Sequence, residues 1–124
     1  MQKLVILAVA SIAGGFSRYY LAGFIYQKWG MTFPIGTLII NLTACFLIGF
    51  FSAIIDEKFF LGPNSKILLM TGFCGAYSTF STYMLETSNL VKDGEVTRAF
   101  INILLSTIIG FLALRVGIFI GEII

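Results

Sequence analysis

Apolar residues fill four long stretches of this chain, and polar residues gather between them. The stretches cover residues 4–26, 34–55, 66–90 and 97–120. An α-helix of about 20 apolar residues crosses the hydrocarbon core of a membrane. The pattern therefore predicts an all-α membrane protein with four transmembrane helices, organised as one domain over residues 1–124.

The third stretch differs from the others because its centre is polar and rich in glycine. Residues 71–83 read TGFCGAYSTFSTY, with two glycines and five serines or threonines. Such residues are poor helix formers. Irregular backbone at membrane depth persists only where protein or a wet cavity covers it. We predict a break in the third helix here, and interrupted spans often mark an ion or substrate site.

Polar and small residues in the other three stretches recur at helical spacing, so each helix has one small and polar face. In the first stretch these are Ala8, Ser11, Gly15, Arg18 and Ala22. In the second they are Thr37, Asn41 and Cys45, and in the fourth Asn102, Ser106, Gly110 and Gly117. We expect these faces to point toward protein and to converge on a polar interior.

Two polar side chains within these spans each allow two interpretations. Arg18 is costly inside a membrane and so suggests function, but near the interface it could simply extend toward water. Asn41 can donate two hydrogen bonds and accept two, or it could only clamp two helices together. Glu86 is either an interfacial charge or part of an aqueous vestibule, and its position near a span end favours the interface.

Composition excludes several classes of protein. The chain has 124 residues, of which 58% are hydrophobic, and it contains no histidine. Cys45 and Cys74 lie far apart within spans, so neither a metal cluster nor a disulfide framework is indicated. No nucleophile–base pair is visible, and we predict neither an enzyme nor a nucleic-acid partner. No carboxylate lies in the middle of a span, which argues against a proton-coupled exporter.

The charges flanking the spans give no preferred orientation. Lys3, Lys58 and Lys66 would lie on one side of the membrane, and Lys28, Lys92 and Arg98 on the other. Positive charges normally mark the cytoplasmic side, and here the count is equal. A chain this short can hardly enclose a pore alone. We therefore expect an oligomer, and specifically two oppositely inserted copies paired as an antiparallel dual-topology homodimer.

Once metal ligands, catalytic pairs and membrane carboxylates are excluded, the polar side chains of the interior are mainly hydrogen-bond donors. Phe80 and Tyr83 are three residues apart and would present their rings on one helix face. Plain packing would explain such a pair if the broken stretch did not lie beside it. Ring edges carry the positive part of the aromatic quadrupole. With Asn41, Arg18 and several hydroxyl groups, these edges make an interior suited to an anion.

Four motifs together resemble the small fluoride channels of the CrcB/Fluc family. They are Gly14-Gly15-x-x-Arg18-Tyr19, Pro34-x-Gly36-Thr37-Leu38-x-x-Asn41, Gly72-Phe73-Cys74-Gly75-Ala76-Tyr77-Ser78-Thr79-Phe80-Ser81-Thr82 and Asn102-x-x-x-Ser106-x-x-x-Gly110. The similarity covers nearly the whole chain, and the third motif is long and specific.

The resemblance implies a dual-topology homodimer with two pores in the plasma or inner membrane, surrounded by the lipid bilayer. It implies passive, selective export of fluoride from a microbial cytoplasm, which protects against fluoride toxicity. Hydrogen fluoride enters a cell in an acidic medium and dissociates, and the trapped anion then needs an exit. The resemblance also implies a structural sodium ion at the dimer interface, held by the backbone carbonyls of Gly75 and Ser78 from both subunits.

The resemblance assigns roles to individual residues. Asn41 would donate to fluoride, and Phe80 would meet the ion by its ring edge. Tyr83 stands where the family usually has phenylalanine, so a hydroxyl is added there. Ser81, Thr82 and Ser106 would form a polar track beside the rings, with Thr37 a further member, and Arg18 would attract anions at the vestibule.

Two other classes compete with a fluoride channel. A small four-helix multidrug exporter also adopts dual topology, but its substrate site needs a membrane carboxylate that the first span lacks. A non-transporting subunit of a larger membrane complex would gain nothing from an interrupted third span.

Overall fold

The computed structural model describes residues 1–57 and 62–124. Lys58, one of the flanking charges counted above, lies outside the described residues. Over the described ranges the chain is helical and contains no β-strand. The prediction of an all-α protein is therefore confirmed.

Five helices follow one another within residues 1–57 and 62–124. They are α1 (Gln2–Trp29), α2 (Ile35–Glu57), α3 (π-helical Lys66–Cys74 continued by Gly75–Tyr77), α4 (Phe80–Lys92) and α5 (Val96–Ile123). A π-helical turn, Leu105–Ile109, lies within α5. Within the described residues, α1, α2 and α5 are each long and apolar enough to cross a membrane. The shorter α3 and α4 occupy the third apolar stretch.

Glycines in the left-handed region end two of the helices. Gly30 follows α1 with a φ of 80°, and its N–H donates to the Tyr26 carbonyl at 2.8 Å. Gly94 has a φ of 82° between α4 and α5. L-residues with a side chain rarely adopt this conformation, so glycine is the usual residue at such helix ends. The two turns fold α2 back beside α1 and α5 back beside α4.

The second half of α5 packs along α2 through glycines. A Cβ atom added to Gly117 would collide with the backbone carbonyl of Phe46, and one added to Gly49 would collide with that of Leu114. The two backbones therefore approach more closely than any residue with a side chain would allow. Small residues give this kind of contact between membrane helices, where van der Waals packing rather than water exclusion drives association.

The packed face of α1 is rotated relative to the expected one. Ala10, Gly14 and Ile25 are buried, and Gly14 lies against the backbone of Phe73 in α3. The predicted stripe is less covered: Ala8 is exposed, while Ser11, Gly15, Arg18 and Ala22 are half-buried. One chain thus leaves Ala8 uncovered and covers the other four only in part, and the expectation that this stripe points toward protein stays a prediction about a second chain. Spacing alone could not distinguish two adjacent small-residue stripes.

Candidate functional site

Two extended residues separate α3 from α4. Ser78 has φ −80° and ψ 158°, and Thr79 has φ −148° and ψ 116°. Both backbone groups of Thr79 pair with the side-chain amide of Asn41 in α2. Asn41 Nδ2 donates to the Thr79 carbonyl at 3.0 Å, and the Thr79 N–H donates to Asn41 Oδ1 at 2.9 Å. The amide thus satisfies backbone groups that a helix would otherwise pair.

This arrangement leaves two carbonyl groups without their helical donors. In an unbroken helix, the Thr79 N–H would donate to Gly75 and the Thr82 N–H to Ser78. Here the Thr79 N–H goes to Asn41, and the Thr82 N–H goes to Thr79 Oγ1 at 3.3 Å. Across the described part of the chain, neither the Gly75 nor the Ser78 carbonyl accepts a backbone hydrogen bond in place of the lost one.

A cavity of about 340 Å³, here called the inner cavity, lies beside these residues. Its polar and aromatic lining consists of Asn41, Ser78, Thr79, Phe80, Tyr83, Ser106 and Thr107. No charged side chain from the described residues lines it. Ser106 Oγ is buried and has no hydrogen-bond partner among the described residues. A buried hydroxyl without a partner is costly, and this one lies on the wall of the cavity.

Phe80 and Tyr83 form an aromatic pair on the wall of the inner cavity. Their ring centroids lie 5.8 Å apart, and the rings are tilted by 56°. Tyr83 is 8% exposed, whereas Phe80 is 73% exposed. In a single chain, therefore, one ring is fixed in the protein and the other is uncovered.

A second cavity of about 660 Å³, here called the outer cavity, contains the charged residues of the site. Its polar lining includes Arg18, Tyr26, Thr37, Thr79, Thr82 and Glu86. Thr79 lines both cavities, so they adjoin at the junction of α3 and α4. Arg18 is half-buried on the outer-cavity wall rather than extended away from the protein.

Glu86 belongs to the wall of the outer cavity. The Thr37 hydroxyl donates to Glu86 Oε1 at 2.7 Å, and the Tyr26 hydroxyl lies 3.3 Å from Thr37 Oγ1. Glu86 Oε2 is buried and has no partner among the described residues. Glu86 also lines a neighbouring pocket with the loop residues Thr32 and Asp93. Its assignment as an interfacial charge therefore stays a prediction, with the vestibule as the alternative. The spacing of Thr79, Thr82 and Glu86, at i, i+3 and i+7, is the signal that could have placed Glu86 on the wall of the outer cavity.

The residues predicted for one site are divided between the two cavities. Asn41, Phe80, Tyr83 and Ser106 line the inner cavity, and Arg18, Thr37 and Thr82 line the outer one. Ser81 is exposed and lines neither cavity. A single chain thus brings together most of the predicted set but leaves Ser81 apart.

Comparison with known proteins decides the family. A family model described as "CrcB-like protein, Camphor Resistance (CrcB)" matches residues 5–118. The chain belongs to the CrcB family. Its similarity to individual CrcB relatives extends over almost the full length of both chains. Three helices within the described residues are long and apolar enough to cross a membrane, and this CrcB chain is a multi-pass protein of the plasma membrane.

Three curated relatives show the extent of this similarity, and each is named "Fluoride-specific ion channel FluC". The protein from Trichormus variabilis is 42% identical over 119 residues, which cover 95% of this chain and 87% of the relative. The protein from Hydrogenobaculum sp. is 42% identical over 121 residues, 98% of each chain. The protein from Maridesulfovibrio salexigens is 36% identical over 124 residues, all of this chain and 98% of the relative.

Two hydrogen-bonded supports in this CrcB chain were missed by sequence reasoning. Tyr77 is buried at the end of α3, stacks on Phe73 with ring centroids 5.6 Å apart, and its hydroxyl lies 2.8 Å from Thr43 Oγ1 in α2. Asn102 in α5 donates to Thr87 Oγ1 at 3.0 Å, and Thr87 donates to the Tyr83 carbonyl at 2.7 Å. The Tyr77–Thr43 contact joins the end of α3 to α2. The Asn102–Thr87 pair joins α5 to the backbone carbonyl of Tyr83.

Proposed function

We propose that this protein is a fluoride-selective channel that gives passive export of fluoride from the cytoplasm and so protects the cell from fluoride toxicity. The observation that carries the proposal is full-length similarity to CrcB relatives that are named fluoride-specific ion channels. The inner cavity supports it, because its described lining offers hydroxyl and amide donors and ring edges but no carboxylate.

The inner cavity contains donors that remain available to an anion. Asn41 uses one N–H of its amide on Thr79, so a second N–H is left. Ser106 contributes a hydroxyl that has no partner among the described residues. Phe80 and Tyr83 add ring edges, which carry partial positive charge. Fluoride is small and strongly hydrated, so these donors together must replace much of its water shell.

The outer cavity serves as the vestibule in this proposal. Arg18 raises the local concentration of anions through its field. Thr37 and Thr82 supply hydroxyl groups on the way to Thr79, where the two cavities adjoin. Glu86 is tied to Thr37, which keeps that carboxyl group at the cavity wall. Ser81 joins the polar track only if a second chain covers it.

The dimer is the second part of the proposal. We propose that two copies pair in antiparallel orientation, with α3 and α4 forming one interrupted span. Two features support pairing: the exposure of Phe80 and Ser81 beside the inner cavity, and the half-buried Ser11–Gly15 stripe on α1. The equal distribution of positive charge supports the antiparallel orientation. A partner would cover Phe80 and close the inner cavity.

A structural sodium ion at the dimer interface is the third part. The carbonyl groups of Gly75 and Ser78 fit this role, since both have lost their helical donors. Unwound carbonyls of interrupted membrane helices bind sodium in this manner. Two chains would supply four such oxygen atoms, and the ion would neutralise the partial negative charge that these groups bring together.

Growth of a bacterium that lacks its own fluoride exporters tests the physiological function. Expression of this chain should restore growth on fluoride in mildly acidic medium, where hydrogen fluoride enters the cell. The matched control is Asn41→Ala, which removes the amide and should fail to restore growth even when it is present in the membrane at the wild-type level. Failure of the wild-type chain, when it is present in the membrane, would contradict the proposal.

A further inference from the structure

We propose that Asn41 and Thr79 are positioning residues for the cation site. They act by withdrawing the two N–H groups that would otherwise pair with the Gly75 and Ser78 carbonyls. The inference rests on the proposed function, because it takes the structural sodium ion of that proposal as the ligand. It explains why the Gly75 and Ser78 carbonyls lack their helical donors: the side chains of Asn41 and Thr79 accept from those donors instead.

The Gly75 carbonyl depends on Asn41. The Thr79 N–H is the normal helical donor to Gly75, and in this structure it donates to Asn41 Oδ1 at 2.9 Å. Asn41 Nδ2 also donates to the carbonyl group of Thr79, at 3.0 Å. This two-sided pairing fixes Thr79 in an extended conformation. Without it, an N–H in apolar surroundings would need another acceptor, and Gly75 offers the nearest one along the helix.

The Ser78 carbonyl depends on the side chain of Thr79. The Thr82 N–H is the normal helical donor to Ser78, and Thr79 Oγ1 accepts from it instead at 3.3 Å. Thr79 is the N-cap residue of α4, a position at which threonine satisfies a free N–H group. The same hydroxyl donates to Thr82 Oγ1 at 2.9 Å, which fixes its orientation.

The two carbonyls are therefore released by separate interactions, one with a side chain from another helix and one with a local cap. A cation site built from backbone oxygens needs this kind of support, because carbonyls released by unwinding would otherwise recover their helical partners. Asn41 pairs with the backbone of Thr79 through its Oδ1 atom and one N–H. Its second N–H stays available to the inner cavity.

The test compares thermal unfolding of purified protein in sodium chloride with that in N-methyl-D-glucamine chloride at equal ionic strength. The probe is the sodium ion itself, and each sample is purified in parallel in both salts. A ligand that binds only the folded state raises the unfolding midpoint. The wild-type protein should show a higher midpoint in sodium. Asn41→Leu and Thr79→Val should each reduce this sodium-dependent shift, and the double variant should abolish it.

Ser52→Ala is the matched control. Ser52 lies on the same helix as Asn41, and its hydroxyl donates to Asp56 rather than to the junction of α3 and α4, so the sodium-dependent shift should remain. The shift is measured within each variant, so a general loss of stability does not imitate the expected result. A full wild-type shift in either variant overturns the role assigned to that residue. If the wild-type protein itself shows no shift, the sodium site fails, and this inference fails with it.

Discussion

The side chain of Asn41 combines two interpretations that the sequence offers as alternatives. Its amide clamps α2 to the junction of α3 and α4 through two hydrogen bonds with Thr79. The same amide lines the inner cavity and keeps one N–H unused. Because an asparagine amide has two donors and two acceptor positions, the clamp does not exhaust it. A structural and a pore-lining role are therefore compatible at this residue.

The hydroxyl of Tyr83 gives a prediction about fluoride affinity. Tyr83 lines the inner cavity together with Ser106, so its hydroxyl can donate to a fluoride ion there. A hydrogen bond to a charged partner is worth about 1.5–3 kcal/mol, or roughly tenfold or more in affinity. Tyr83→Phe should therefore raise the half-saturating fluoride concentration about tenfold. It should also raise the maximal flux, since weaker binding speeds release.

Concentration-dependent fluoride flux from proteoliposomes checks this prediction. Tyr77→Phe is the matched control, because the Tyr77 hydroxyl contacts Thr43 and Tyr77 does not line the inner cavity. Flux curves of Tyr83→Phe that coincide with the wild-type curve would show that the hydroxyl does not touch the ion.

Arg18 gives a prediction about ionic strength. If its field draws anions into the outer cavity, Arg18→Gln should lower fluoride flux by roughly tenfold at low ionic strength. The deficit should shrink as a salt with an impermeant anion is added, since salt screens the field. The measurement is initial flux across a salt series. Arg115→Gln is the control, because Arg115 is exposed on α5 and lines neither cavity. A deficit that does not change with salt would contradict the field effect.

Sequence reasoning found the residues that stand out by type but missed those defined by contact. Asn41 and Arg18 stand out because strongly polar groups are rare within spans. The interpretation of Glu86 rested on its position near a span end, whereas its hydrogen bond with Thr37 joins residues 49 positions apart. The Tyr77–Thr43 contact likewise depends on the packing of two helices, which no local pattern reveals.

At the scale of the helices, the contact between α2 and α5 depends on glycine. The backbone carbonyl of Phe46 occupies the space where a side chain on Gly117 would begin. A backbone atom within a helix cannot move aside as a flexible side chain can. The two helices would therefore have to separate around any added atom.

Gly117→Ala should destabilise the protein by about 1–3 kcal/mol, the usual cost of overpacking. The measurement is the midpoint of thermal unfolding in detergent. Gly23→Ala is the control, since a Cβ atom there meets nothing within 4 Å. A wild-type midpoint for Gly117→Ala would mean that α2 and α5 can separate without cost.

The helices themselves follow from the sequence to different degrees. Long apolar stretches bounded by turn residues predicted helices where the structure has α1, α2 and α5. The composition of residues 71–83 indicated a weak helix, but not that the extended backbone is confined to Ser78 and Thr79. That position depends on where Asn41 of α2 meets the chain, which is a tertiary property.

At the scale of the whole molecule, the proposed homodimer accounts for surfaces that one chain leaves open. Phe80 is 73% exposed beside a cavity whose other aromatic residue is buried. The stripe containing Ser11 and Gly15 is only half-buried. In an antiparallel dimer these surfaces would meet their counterparts, and the free carbonyls of Gly75 and Ser78 could meet across the same axis.

Dual topology predicts that any given loop lies outside the cell in about half of the copies and inside it in the other half. In a variant with Cys45→Ala and Cys74→Ala, the added substitution Asp93→Cys places one thiol in the exposed loop after α4. A membrane-impermeant maleimide added outside intact cells should label about half of the copies, as expected for a chain without orientation bias. Labelling after detergent addition should reach all copies and serves as the control. Labelling of every copy, or of none, in intact cells would contradict dual topology.

Selective conduction of fluoride can be measured as efflux from liposomes. Purified protein shown to be folded and dimeric is reconstituted into vesicles loaded with potassium fluoride or potassium chloride, and ion-selective electrodes record anion release after valinomycin is added. A fluoride-selective channel should release fluoride rapidly and retain chloride. No fluoride release, or release of chloride at a comparable rate, would contradict the proposed function.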